Sequence, residues 1–272
     1  MIKASGNAQK LISELKAEKK DFQVSRTTKS ATVSFDDFKY MFADSHFSNK
    51  HLNLFQQIKK EVHNNIKNFE IIPPEIQRSK YFGIQEFEQI GSGEFLKYSD
   101  CLEFDINKAY YKALYHFKYI SKEFYDKCVE LPKNIRLALV GTLATQKTVF
   151  FYESGELKSY ELKKDDTLRK VFFQLVEYVD RALDYFSKLA GDNFLFYWVD
   201  GIYLKNYDRA EYHKDLISYE FDLDFSTEKI KEVIVYYKSE FSTQMIVKKE
   251  DLNIKTFNLN NIFVNEQLNY TV

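Results

Sequence analysis

Glycine and proline are scarce in this chain, with eight and three residues among 272. A sequence so poor in both is neither a collagen-like fibre nor a flexible low-complexity tract. Cysteine is scarcer still. Cys101 and Cys128 are far apart and form no C-x-x-C pair, which excludes a disulfide framework and fits a reducing compartment, although a single bridge between them stays open. The five histidines show no zinc spacing. No apolar run is long enough to span a bilayer, and no signal-peptide stretch opens the chain, so the expectation is a soluble, cytoplasmic protein with no membrane partner. Phosphate-binding loop, nucleophile elbow and H-E-x-x-H patterns are absent from the sequence, which leaves NTPase, hydrolase and metalloprotease chemistry without support. Charge of one sign is also missing: the formal net charge is −1. A nucleic-acid partner would therefore have to meet a local basic surface.

Aromatic residues are what the chain has in abundance, 17% of the total, led by 25 Phe and 20 Tyr. That payload, in a chain of this length, predicts well-packed cores and one large domain or two small ones. Residues 1–97 read as mostly helical, with helical apolar spacing over Ala8 to Lys20 and over Leu52 to Phe69, the latter stopped by Pro73-Pro74. Gly91-Ser92-Gly93 marks a turn.

Beyond residue 97 the pattern turns β-like. Ser99 to Ile106 reads as a strand, Ala109 to Val129 as helical, and Lys133 to Gln146 as a further helix after Pro132. Ser154-Gly155 lies between two strand patterns, Thr148 to Tyr152 and Leu157 to Leu162, as a hairpin turn does. Thr167 to Leu189 is the clearest helix: Leu168, Val171, Phe172, Leu175, Val176, Val179, Leu183 and Phe186 share one face, and Gly191 closes it. Phe194 to Leu204 is a nearly continuous apolar run, a buried strand or hairpin. Ile230 to Tyr237 and Met245 to Lys248 read as strands.

Two aspartates interrupt otherwise apolar strands: Asp105 in L-E-F-D-I and Asp200 in Y-W-V-D-G-I. An ionised carboxylate in such a setting is costly unless it is paired or binds a cation. Side by side, two such strands would offer carboxylates to the pair of Mg²⁺ ions that in-line phosphoryl transfer uses. Each aspartate could equally sit solvated at a strand end, so the pair alone decides nothing. Glu103 alternates with Asp105 on the same strand face and is a third acid, placed at the solvated edge.

The sequence around these acids resembles family B DNA polymerases, in a compact, divergent form without a proofreading exonuclease domain, of the kind found in phages and mobile elements. Their first palm motif, D-x-x-S-L-Y-P, is similar to Asp105-Ile106-Asn107-Lys108-Ala109-Tyr110-Tyr111, with the Asp and the Tyr at matching positions. Their third, Y-x-D-T-D-S, resembles Tyr197 to Tyr203, with Asp200 at the second aspartate and Trp198 or Val199 at the place of the first. The fingers pattern K-x-x-x-N-S-x-Y-G has its nearest counterpart in Arg136 to Ala144. There Arg136, or Lys133 one turn away, takes the lysine's place, and Gly141 supplies the small residue.

The resemblance covers roughly residues 97–205. It implies an α+β fold with an antiparallel palm sheet backed by helices over residues 98–250. It further implies short helical fingers over 116–146 and a reduced thumb or tail over 251–272. Asp105 and Asp200 would be the catalytic, metal-binding acids for Mg²⁺ or Mn²⁺. Tyr110 would select deoxyribose, and Arg136 or Lys133, with Gly141, would hold the nucleotide. The implied reaction is template-directed addition of a dNTP to a primer hydroxyl, with primer-template DNA as partner and either a nucleic acid or a protein as primer, alongside replication proteins. The alternative is a catalytically degenerate palm that binds nucleic acid or scaffolds a replisome. Lys238, Lys248 and Lys249, beyond the third motif, are candidates for phosphate contacts.

Overall fold

The computed structural model describes residues 2–4, 7–27, 30–43, 48–66, 80–84, 86, 91, 93–239, 242–249 and 253–259. Pro73-Pro74 and Ser92, singled out above as breakers, lie outside the described residues. The elements begin with β1 (Ile2–Lys3), α1 (Ala8–Ala17), β2 (Phe22–Arg26), β3 (Ser30–Phe35), β4 (Phe38–Ala43), α2 (Asn49–Ile66) and β5 (Lys80–Phe82). Then come β6 (Phe95–Ile106), α3 (Ala109–His116), α4 (Lys122–Val129), α5 (Lys133–Gly141), β7 (Gln146–Glu153), β8 (Glu156–Lys164) and α6 (Asp166–Ala190). The chain continues through β9 (Phe194–Trp198), β10 (Gly201–Lys205), α7 (Ala210–Phe221), β11 (Phe225–Ser239), β12 (Ser242–Lys249) and β13 (Ile254–Asn258). The class is α+β, as expected. Among the described residues, the first hundred hold strands as well as two α-helices. The helical stretch expected over Ala109 to Val129 is two helices, parted by a turn in which Lys118 has φ +56°.

Two compact units result, each drawn from two segments: Met1–Pro73 with Phe117–Gln174, and Pro74–His116 with Leu175–Val272. The first contains a sheet of order β1-β4-β3-β2-β7-β8, antiparallel except for the β1/β4 pair. Helix α1 supplies Ile12 and Leu15 to a core with Phe22, Val24 and Val33. Its start is set by Asn7, whose side chain accepts the Gln9 N–H. The β7/β8 turn has Ser154 at φ +51° and Gly155 at φ +78°, the two positive values that a type I′ hairpin takes. A Cβ on Gly155 would lie 2.5 Å from the Lys16 carbonyl oxygen, so only glycine fits there.

The second unit is built on an antiparallel sheet of order β13-β12-β11-β6-β10-β9-β5. Strand alternation divides its side chains cleanly. Leu102, Phe104 and Ile106 of β6, with Ile202 and Leu204 of β10, pack with Val179, Leu183 and Phe186 of α6. The residues between them, Cys101 and Tyr203, join Phe196, Ile230, Val233 and Met245 in a second cluster. The antiparallel sheet backed by a helix is therefore present. No helix among the described residues is long and apolar enough to cross a membrane.

Candidate functional site

Asp105 is the penultimate residue of β6, and its partners across the ladder are Gly201 in β10 and Ser226 in β11. Asp200 precedes Gly201 in the two-residue turn between β9 and β10, where Trp198 and Gly201 pair. The Ile106 N–H donates to the Asp200 carbonyl at 2.8 Å. The two acids thus leave adjoining strands at one end of the sheet, both half-buried. Gly201 is itself buried, and a Cβ there would be in van der Waals contact with Asp105 Oδ1 at 3.5 Å and Glu103 Oε1 at 3.6 Å.

The turn is strained. Val199 has φ +62°, a left-handed value that a β-branched side chain resists. Such outliers persist where surrounding structure holds them, and they gather at functional sites. Trp198, which the resemblance sets with Val199 as the two candidates for the place of the motif's first acid, is packed: its ring centroid lies 5.0 Å from that of Phe257, and Lys80 Nζ sits 4.1 Å above it.

Tyr110 follows Asp105 through a tight turn with Lys108 at φ +57° and packs beside the helix-backed core. Burial pushes its phenol pKa well up, and the charges of Asp200 and then Asp180 push it further, so it remains a neutral hydrogen-bonding group. Asp180 is a residue that the sequence reading passed over. It projects from α6, is 1% exposed, and accepts a hydrogen bond from Tyr197 Oη at 2.5 Å. Asp180, Tyr197, Tyr110 and Asp200 together form an acid–phenol group under the hairpin.

The other sheet face holds a second polar group. Glu103 is not solvated at an edge; it is 3% exposed and ion-paired. It accepts from Tyr203 Oη at 2.6 Å and from Lys255 Nζ at 2.5 Å, with Lys249 Nζ 3.2 Å away. Burial alone would raise its carboxyl pKa, but the Lys255 and Tyr203 hydrogen bonds and the lysine charges outweigh it and hold the group below the ordinary range. Lys249 also pairs with Glu228. Lys248 pairs with Glu232 at 2.5 Å, and with Lys97 it brings that carboxyl down to about 2. Lys248 and Lys249 are thus engaged by acids of the fold, while the Lys238 side chain lies outside the described residues. Burial raises the Tyr203 pKa first, followed by Glu103 and, more weakly, Asp105. Asp105 therefore acts on Tyr203, and Asp200 on Tyr110.

Lys133, Arg136 and Gly141 belong to the first unit, whereas Asp105, Tyr110 and Asp200 belong to the second. Lys133 is the exposed first residue of α5. Arg136 Nη1 donates to the Val129 carbonyl at 3.4 Å, where it satisfies an end carbonyl of α4. A Cβ on Gly141 would meet nothing within 4 Å, so space does not require glycine there.

Among the described residues no group of three or more His, Cys, Asp or Glu side chains is arranged to hold a metal. Asp105, beside Tyr203, and Asp200, beside Tyr110 towards the helix-backed face, are two carboxylates at one sheet end, and carboxylates are donors that Mg²⁺ takes when substrate phosphates and water supply the rest. Comparison with protein-family models and with curated proteins gives no match.

Proposed function

We propose that the chain is a polymerase-like nucleotidyltransferase whose site lies between Asp105 and Asp200. The observation that carries this reading is their adjacency. Two aspartates 95 positions apart in sequence come to one sheet end, Asp105 near the end of one strand and Asp200 in the turn that leads into its neighbour, where the Ile106 N–H bonds to the Asp200 carbonyl. In the reaction a primer hydroxyl oxygen bonds to the α-phosphorus of a nucleoside triphosphate, the α–β phosphoanhydride bond breaks, and pyrophosphate leaves. Asp105 and Asp200 would hold Mg²⁺ or Mn²⁺, which when bound supplies Lewis-acid stabilisation of phosphoryl oxygens. Tyr110, kept neutral by burial and two nearby acids, offers a flat apolar face and a hydroxyl beside Asp200. DNA and dNTPs are the partners this reading implies.

Primer extension on a DNA template with Mg²⁺ or Mn²⁺ tests it. Asp200→Asn should lower the rate by at least about a hundredfold, since loss of a metal's outer-shell support alone costs ten- to a hundredfold. Extension unchanged by the substitution would refute the assignment. Trp198, packed at one of the two candidate places for the motif's first acid, favours one alternative: a palm-shaped nucleic-acid-binding scaffold without turnover. In that case the parent binds primer-template DNA but does not extend it.

A further inference from the structure

Strand β8 ends the six-stranded sheet and, among the described residues, pairs only with β7. All nine of its residues are exposed. Its apolar residues would ordinarily point to both faces, because 157 differs in parity from 160 and 162. A bulge corrects this. The ladder runs Tyr152↔Leu157 and then Phe151↔Ser159, skipping Lys158. Leu157, Tyr160 and Leu162 therefore share one face, with Ser159, Glu161 and Lys163 on the other. The shared face continues that of Phe150 and Tyr152, which border the core beneath α1. Yet Leu157 is 51%, Tyr160 71% and Leu162 59% exposed. An edge with such a stripe and no proline is a template for another strand, although Lys158, Lys163, Lys164 and the bulge are features by which natural edges discourage indiscriminate pairing.

We propose that the partner is a second copy of this chain, joined antiparallel through β8 about a two-fold axis at Tyr160. The strand is complementary to itself in that register. With the bulge residue Lys158 left out of the count, Tyr160 meets Tyr160, and each Leu162 meets the other copy's Leu157 on the apolar face. On the polar face each Glu156 meets the other copy's Lys163, and each Ser159 meets Glu161. Every opposed pair lies on the same side of the sheet, which a register shifted by one residue would destroy. The two sheets would become one, and the interface is isologous, so each cross-strand pair occurs twice.

Sedimentation equilibrium of the full chain over a concentration series tests the proposal. The parent should be a reversible dimer. Glu156→Lys and Lys163→Glu should each weaken it about tenfold, because every reversal sets two like-charge pairs opposite each other. The Glu156→Lys/Lys163→Glu double variant should return the dissociation constant to near the parent's. Circular dichroism checks that each variant folds, and Tyr160→Lys, at a position 71% exposed, is the second probe and should also weaken the dimer. A parent monomeric at every concentration overturns the proposal, as does a dimer that none of these variants weakens or a double variant no tighter than the singles.

Discussion

Replacing Glu103 by glutamine should destabilise the second unit by about 2–3 kcal/mol at neutral pH. Glutamine keeps the volume and an acceptor for Tyr203 Oη, but a charge-assisted bond becomes a neutral one, at a cost of about 1 kcal/mol. The Lys255 side chain is 42% exposed, so its ion pair contributes only about 0.5–1 kcal/mol after solvent screening. Lys249 is 12% exposed, and it keeps Glu228 as a partner, so its loss is limited to about 1 kcal/mol rather than the larger cost of a stranded buried charge. Glu103→Leu removes the acceptor as well and should cost about 4 kcal/mol, because the Tyr203 hydroxyl loses its acceptor. Urea unfolding followed by Trp198 emission is the assay. Trp198 is the single tryptophan of the chain and lies in the second unit, so its signal reports the unit concerned. The sign with pH is fixed by the depressed Glu103 pKa. Its contribution is complete above the ordinary value of 4.5 and is lost as pH falls through the lower folded value. Parent and Glu103→Gln should therefore converge in acid. Glu232 titrates in the same direction, toward about 2, but does so in both proteins and cancels from the difference. Equal urea midpoints at neutral pH, or a gap that persists in acid, would refute the reasoning.

Gly155→Ala should destabilise the first unit by more than about 1 kcal/mol, since the methyl combines a positive φ with a contact at 2.5 Å to the Lys16 carbonyl, and thermal unfolding reads this directly. Val199→Gly should act oppositely and stabilise by about 0.5–1 kcal/mol, because relief of about 1–2 kcal/mol of left-handed strain exceeds the entropic cost of glycine; a lower urea midpoint would count against a strained turn. Asp180→Asn should leave Tyr197 an acceptor yet lower the Tyr110 phenol pKa, measurable by tyrosinate absorbance, because one of the two acids that raise it loses its charge. An unchanged titration would remove Asp180 from the acid–phenol group.

The elements legible in the sequence are those whose signal is local. Helix α6 is read nearly end to end because its apolar stripe runs for many turns, and Asp165 caps its first turn by accepting the Leu168 N–H at 3.0 Å. The β7/β8 and β9/β10 hairpins are read from a turn dipeptide and from an apolar run. Strands β1 to β5 escape notice because they have two to six residues each and become strands only through pairing. Two of the partners are remote: β2 pairs with β7, and β5 with β9. Helix α7 escapes for a different reason, since of its twelve residues only Ala210 and Ile217 are buried. A window along the chain contains none of that information.

For the site, the same rule separates what was found from what was missed. Asp105 and Asp200 stand out because each interrupts a run of residues that prefer burial, and the register, with Gly201 opposite Asp105, then brings both to one end of the sheet. Asp180 carries the same signal in helical form. It lies four residues beyond Val176 and three before Leu183, on the stripe that α6 turns to the core, where a carboxylate is as anomalous as one in a strand. A search for acids on apolar faces, run with a period of 3.6 as well as 2, would have returned Asp180 beside Asp105 and Asp200. Glu103 shows the limit of that search. Alternation gave its face correctly, but whether that face was solvated depended on Lys249 and Lys255, about 150 residues away along the chain and brought opposite it by β12 and β13. The carboxylate expected at a solvated edge is committed to two ammonium groups. On the reading proposed above, which takes Asp105 and Asp200 as the metal-holding acids, Asp105→Asn should lower metal-dependent extension by at least about a hundredfold, as Asp200→Asn should, and an unchanged rate would remove Asp105 from the site.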